Sequence, residues 1–111
     1  MPNRVKLYDE ADRLKAEGKL DEAAAKLEEL LAIDPQYALA HSALAVVLQR
    51  LGRHEEAIQH AVRVADLEPN DPFSFTALSV TYQRAYAGTN ELSYIRLAEE
   101  AMERSRMLSH G

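Results

Sequence analysis

The sequence predicts an all-α fold in which antiparallel helix pairs stack side by side as a short solenoid. Three observations predict it. Landmarks return 34 residues apart: Gly18 and Gly52, Ala23 and Ala57, Ile33 and Leu67, Pro35 and Pro69. The same step carries Leu44 to Leu78, Ala45 to Ser79, Leu48 to Tyr82, and Gln49-Arg50 to Gln83-Arg84. Within each unit, apolar residues recur at spacings of three and four, the period of a helix face. A period of this length built from paired helices marks a repeat architecture, where each unit buries the open face of the next.

The first helix is expected over 4–17. Asn3 suits its N-cap, Leu7, Ala11 and Leu14 share one face, and Gly18 suits the left-handed position past its end. A second helix over 20–33 turns Ala23, Leu27, Leu30 and Leu31 inward and Glu22, Lys26, Glu28 and Glu29 to water. Asp34-Pro35 stops it, because proline lacks an N–H and disfavours helix at the residue before it. Residues 38–51 form the next helix, apolar almost all round, and Gly52 breaks the chain before a fourth helix over 55–67. Glu68-Pro69-Asn70 ends that one.

The third unit departs from the pattern. Glu55-Glu56-Ala57 finds a counterpart at Glu99-Glu100-Ala101, which implies ten inserted residues; taking Ala98 as the counterpart implies seven. Gly88 is read as a break and Asn90 as the cap of a restart. From there one long helix over 91–108 carries Tyr94, Ala98, Ala101, Ser105 and Leu108 as a stripe, its first two turns projecting past the body. Ser109-His110-Gly111 closes it. The expected organisation is a single domain over 1–111, with units near 4–37, 38–71 and 72–109 and an insertion near 87–96.

Composition narrows the function. The 111 residues suffice for one core, and 47% hydrophobic with 28% charged residues is ordinary for a globular chain. Absence of cysteine excludes disulfides, thiol catalysis and thiolate metal sites. A formal charge of −5 argues against nucleic acid, whose binding requires Lys and Arg to neutralise phosphates. Met1-Pro2-Asn3-Arg4-Val5-Lys6 leads into charge rather than an apolar run, and the run 43–48 is far short of a membrane span. The expectation is a cytoplasmic protein without membrane contact.

Catalytic and metal constellations do not assemble. His54 and His60 are six residues apart and face different ways on one helix, unlike an i, i+4 metal pair. The pairs Glu28-Glu29, Glu55-Glu56 and Glu99-Glu100 read as solvated faces. No glycine-rich phosphate loop is present. The expectation is a protein that is not an enzyme and takes no cofactor or metal. Glu10 stands where later units have Leu44 and Leu78, as suits a terminal unit with no neighbour to cover it.

In these landmarks the chain resembles the tetratricopeptide repeat family. That family has 34-residue helix pairs with a small residue midway along the first helix (here Ala11, Ala45 and Ser79). It has an alanine in the second (Ala23, Ala57 and Ala101) and a closing proline (Pro35 and Pro69). Small residues at the crossing let two backbones approach, and larger ones lock either side. His41 departs from the large residue usual at its position and reads as a mostly buried neutral histidine with a satisfied hydrogen bond, set against a pH switch or a ligand. The resemblance covers about 4–109 and implies a right-handed solenoid acting as a protein-interaction scaffold or adaptor.

The resemblance also implies that the first helices line a concave groove. Its positions map to Val5, Tyr8, Asp9 and Asp12 in the first unit. Leu39, Ser42, Ala43, Val46, Gln49 and Arg50 follow in the second, and Phe73, Thr76, Ala77, Val80, Gln83 and Arg84 in the third. The result is an apolar floor with an acidic corner at Asp9 and Asp12 and a basic edge at Arg50 and Arg84. One subclass grips chaperone C-terminal carboxylates through Lys, Asn and Arg. The matching positions here hold Tyr8, Asp12, Ala43, Phe73 and Ala77, so that clamp is absent. An amphipathic helix or an extended apolar peptide with an acidic end fits better. A second patch is expected at the insert from Phe73, Tyr86, Leu92 and Tyr94, set against the reading that Tyr86 and Tyr94 staple the insert to the body. Two alternatives stand beside the adaptor. One is a self-assembling homodimer that buries the groove and the last helix. The other is an accessory subunit or chaperone of a larger complex. The family often ends with an extra polar helix; without one here, Tyr94, Leu97, Ala101 and Leu108 need cover.

Overall fold

Asn3 opens the first helix by accepting the Val5 N–H on its side-chain oxygen at 2.8 Å, so one of the orphan donors of the first turn is satisfied. The computed structural model describes residues 3–110. Met1, Pro2 and Gly111, used above to read the two ends, lie outside them. The elements are α1 (Arg4–Ala16), α2 (Leu20–Ile33), α3 (Ala38–Arg50), α4 (His54–Leu67), α5 (Pro72–Thr89) and α6 (Ser93–His110). Every regular element among the described residues is helical, and the six helices form three antiparallel pairs.

The first two pairs are built alike. Gly18 and Gly52 take φ of 78° and 79°, where a Cβ would be strained. At Gly18, the Lys19 N–H reaches back to the Leu14 carbonyl and the Gly18 N–H to Lys15; at Gly52, Arg53 bonds Leu48 and Gly52 bonds Gln49. These are paired closing bonds that satisfy otherwise orphaned carbonyls and fold α2 and α4 back on α1 and α3. At the start of α5, Asp71 accepts the Phe73 N–H at 3.0 Å and Pro72 occupies the first helical turn, where its missing donor costs nothing.

Stacking follows from which faces are apolar. Leu7, Ala11 and Leu14 of α1 meet Ala23, Leu27 and Leu30 of α2, and Leu44, Val47 and Leu48 of α3 cover both. A second cluster joins Ala45, Ala61 and Ala65 to Leu78 and Ala101, with Phe75 and Tyr82 packed against it. Each helix pair thus contacts the next, and α5 reaches both α3 and α4. Glu10, in the register of Leu44 and Leu78, stays at the open end and pairs with Lys26 at 3.5 Å. His41 is buried, and both ring nitrogens are bonded: Nε2 to the Pro35 carbonyl at 2.7 Å and Nδ1 to His60 Nδ1 at 2.9 Å.

The third pair corrects the expected layout. Gly88 does not break the chain; α5 runs through it to Thr89. The reason for glycine is steric, since a Cβ there would lie 2.3 Å from His54 Nε2. Asn90 is not the cap of a restart but the C-cap of α5, left-handed at φ 60°, its N–H bonded to the Tyr86 carbonyl at 2.8 Å. α6 starts at Ser93 rather than 91, and its first turns do not project. Tyr94 stacks on Tyr82 with ring centroids 6.0 Å apart. Ser79 Oγ donates to the Ala98 carbonyl at 2.8 Å. That bond sets Ala98 rather than Ala101 across from the small residue of α5, which fits the seven-residue alternative. The extra residues lengthen α5 and α6 together, to 18 residues each, instead of forming a loop.

Candidate functional site: the groove between the second and third helix pairs

An open groove of about 310 Å³ runs between α3 and α5 over a floor from α4. Helix periodicity explains its walls. Ser42, Ala45, Val46 and Gln49 recur at three and four along α3, and Ser74, Ala77, Val80 or Thr81, and Arg84 do so along α5. Ala61 and Val64 of α4 form the floor. Val46 and Val80 remain 40% and 37% exposed although the rows beside them are buried, so the fold leaves these two methyl-rich groups facing water.

Arg50 and Arg84 stand at the same place in their helices, one after Gln49 and the other after Gln83, and both line the groove's end. Both are exposed. Nine ion pairs occur among the described residues and neither arginine takes part in any. In a chain of net charge −5 this leaves two cationic side chains, one from each wall, in the lining of the same groove.

Of the residues mapped from the sequence, Ser42, Val46, Gln49, Arg50, Ala77, Val80 and Arg84 come together here. Others do not. Tyr8, Asp12 and Ala43 line a separate shallow recess between α1 and α3, where Asp12 pairs with Lys15 at 3.6 Å and Tyr8 lies 6.3 Å from the Tyr37 ring. Burial, with Asp12 next in weight, holds the Tyr8 hydroxyl above its ordinary pKa, so it stays protonated. Val5 and Asp9 lie on the outer end of α1 with Lys6, Glu10 and Arg13. The acidic corner is therefore split from the groove. Thr76 turns to α6, its hydroxyl 2.7 Å from Ser105 Oγ. Gln83 bonds Ser79 Oγ at 3.2 Å and sits on the α5–α6 end face.

Leu39 and Phe73 lie on the first turns of α3 and α5, 58% and 79% exposed, outside the groove lining. The second patch does not assemble as one cluster. Phe73 and Tyr86 are thirteen residues apart on α5, roughly 20 Å along its axis. Tyr94 is taken up by Tyr82, Tyr86 is half-buried on the end face, and Leu92 is 70% exposed outside that face's lining. Ala45, Ala61, Val64, Ser74 and Thr81 were missed. The two from α4 carry no signal of their own, because they read as ordinary core alanine and valine.

No three His, Asp or Glu side chains converge among the described residues as a metal ion would require. No helix there is long and apolar enough to cross a membrane.

A family model described as "Tetratricopeptide repeat" matches residues 14–78. No curated protein matches the chain in sequence. Among solved structures, the fold resembles that of a chain in the CopN-Scc3 complex, with TM-score 0.79 and 19% identity over 95% of this chain and 58% of that one. It also resembles the second TPR of Spaghetti (RPAP3) bound to HSP90 peptide SRMEEVD, with TM-score 0.77 and 18% identity over 95% and 91%. A third likeness is MamA from Desulfovibrio magneticus RS-1, with TM-score 0.76 and 22% identity over 96% and 56%. This chain thus spans little more than half the length of the first and third. At these identities the likeness is one of fold.

Proposed function

The chain belongs to the tetratricopeptide repeat family, and from that premise we propose that it is a non-catalytic adaptor. Its single domain, with repeats near 4–37, 38–71 and 72–109, holds a segment of a partner protein in the groove between α3 and α5. The observation that carries this reading is the pairing of half-exposed Val46 and Val80 with Arg50 and Arg84, which have no acidic partner among the described residues. Apolar walls take aliphatic or aromatic side chains of the segment, and the arginine fork receives a carboxylate by paired N–H···O contacts. Ser42, Gln49 and Thr81 supply hydroxyl and amide groups for its backbone.

Two relatives of like fold support the peptide-binding class: the second TPR of Spaghetti carries an HSP90 peptide, and PcrH is in complex with the chaperone-binding region of PopD. The segment bound here differs in one respect from a carboxylate-clamped tail, because Tyr8, Asp12, Ala43, Phe73 and Ala77 provide no lysine or asparagine for a clamp. A protein of this composition without a membrane-spanning helix among the described residues fits work in the cytoplasm.

Selection of a random peptide library on the immobilised protein tests this. The expected winners combine two apolar residues with an Asp, Glu or terminal carboxylate. Their binding is lost in the Val46→Glu/Val80→Glu variant at unchanged helicity. Peptides that bind this variant as well as the parent would move the site elsewhere.

A further inference from the structure

The two ends of the solenoid differ. At the first end, α1 presents Asn3, Val5, Lys6, Asp9, Glu10 and Arg13, a polar cap with one apolar side chain. At the last end, an open recess of about 490 Å³ between α5 and α6 is lined by Tyr86, Ile95, Ala98 and Met102, with Glu99 and Arg106 among them. Within the body such a face is covered. On α4, Ala61 and Ala65 pack against Leu78 of α5, and His54 sits against Gly88. Carried over with Ala98 in the register of Ala57, the α4 stripe His54, Ile58, Ala61, Ala65 becomes Ile95, Glu99, Met102, Arg106 on α6. No seventh helix covers it among the described residues.

We infer that this face is where a second copy of the chain docks, the two α6 helices running antiparallel about a two-fold axis near Met102. The argument rests on charge. Among the described residues Glu99 takes part in no ion pair, and Arg106 pairs only with Glu103 one turn away on the exposed surface. A two-fold interface is self-complementary, with residue i on j and j on i. An axis at Met102 places Glu99 of each copy opposite Arg106 of the other, three and four residues either side, and brings the two methionines together at the centre. Ile95, seven residues from Met102 along the same face, extends the contact outward against the last turn of the other copy's α6. Head-to-tail stacking would instead press Ile95 and Met102 onto Lys6, Asp9 and Glu10, an apolar face against a charged one. Self-association through this end leaves the α3–α5 groove of each copy open.

Sedimentation equilibrium of the full chain from about 1 μM to about 1 mM, with charge variants, tests the arrangement. The parent dimerises in that range. Glu99→Arg and Arg106→Glu singly weaken dimerisation at least tenfold, because each places like charges together twice. The double variant Glu99→Arg/Arg106→Glu exchanges the partners and returns to within about threefold of the parent. Met102→Asp, which sets a charge against its own copy at the axis, gives a monomer. Circular dichroism melts of all four verify that these surface changes leave the fold intact. A monomer up to 1 mM overturns the inference, as does a dimer indifferent to both single changes. If the singles abolish association and the double fails to restore it, the antiparallel pairing is wrong.

Discussion

His41 and His60 face each other across α3 and α4 with their Nδ1 atoms 2.9 Å apart. The Pro35 carbonyl can only accept, so His41 carries its proton on Nε2 and offers a bare Nδ1 to the His60 N–H. One proton added at His60 Nε2 leaves this bond intact. Protonating both rings sets N–H against N–H. Burial, then the facing His41, lowers the His60 pKa, with exposed Glu56 opposing weakly.

The pair therefore makes stability depend on pH. Below about 6.5 the unfolded chain binds a proton at residue 60 that the folded chain resists, so unfolded chains hold more protons and stability rises with pH. The contribution is full above about 6.5 and is lost as pH falls through the depressed folded value. Urea midpoints should drop between pH 7 and 5. His60→Gln keeps a donor to His41 but cannot titrate, and its midpoints should be flatter over that window. An unchanged slope would assign the effect to other groups.

Gly88 and His54 form a testable couple. Gly88→Ala gains helix propensity, worth up to about 1 kcal/mol, but drives a methyl into the imidazole. The expected net is a destabilisation of about 1 kcal/mol, roughly the scale of an overpacked contact. In a His54→Ala background the same change should stabilise. Thermal denaturation of the four proteins of the cycle reads the sign reversal, and additive effects would rule out the steric account.

Ser79 occupies a crossing where the earlier units have alanine. Ser79→Ala should cost no more than about 1 kcal/mol, the net value of one hydrogen bond to the Ala98 carbonyl. Ser79→Leu should cost about 2 kcal/mol or more, since α5 and α6 would be forced apart at a residue 1% exposed. Equal effects of the two changes in chemical denaturation would mean that the close approach is not what holds this pair.

Tyr94→Ala removes the ring stacked on Tyr82 and should lower stability by about 1–2 kcal/mol, from the aromatic contact plus lost burial. Amide exchange should then speed up in the lengthened tips of α5 and α6 ahead of the rest of the chain. Loss confined to other helices would contradict the stapling role.

The regular part of the fold was legible because a few residue types do their work locally. Gly18 and Gly52 close helices by their own φ, and Pro35 and Pro69 stop them by lacking a donor. The third pair was not legible for the opposite reason. Gly88 looks like a helix breaker in sequence, and only a side chain 34 residues earlier explains it. The groove was legible where both walls exist, as at Val46 and Val80. Thr76 and Gln83 carry the pattern of wall residues, yet their surroundings depend on how α6 packs over α5. Repetition in sequence does not record where the stack ends.

One helix, α5, is a wall of both recesses: Ala77, Val80 and Arg84 face the groove, while Ser79, Gln83 and Tyr86 face the end. The first pair shares no such wall with the third. If the proposed ligand tilts α5 from one side, it changes the fit on the other. Thermodynamic reciprocity would then require that the proposed assembly alter ligand affinity by the same factor that ligand alters assembly.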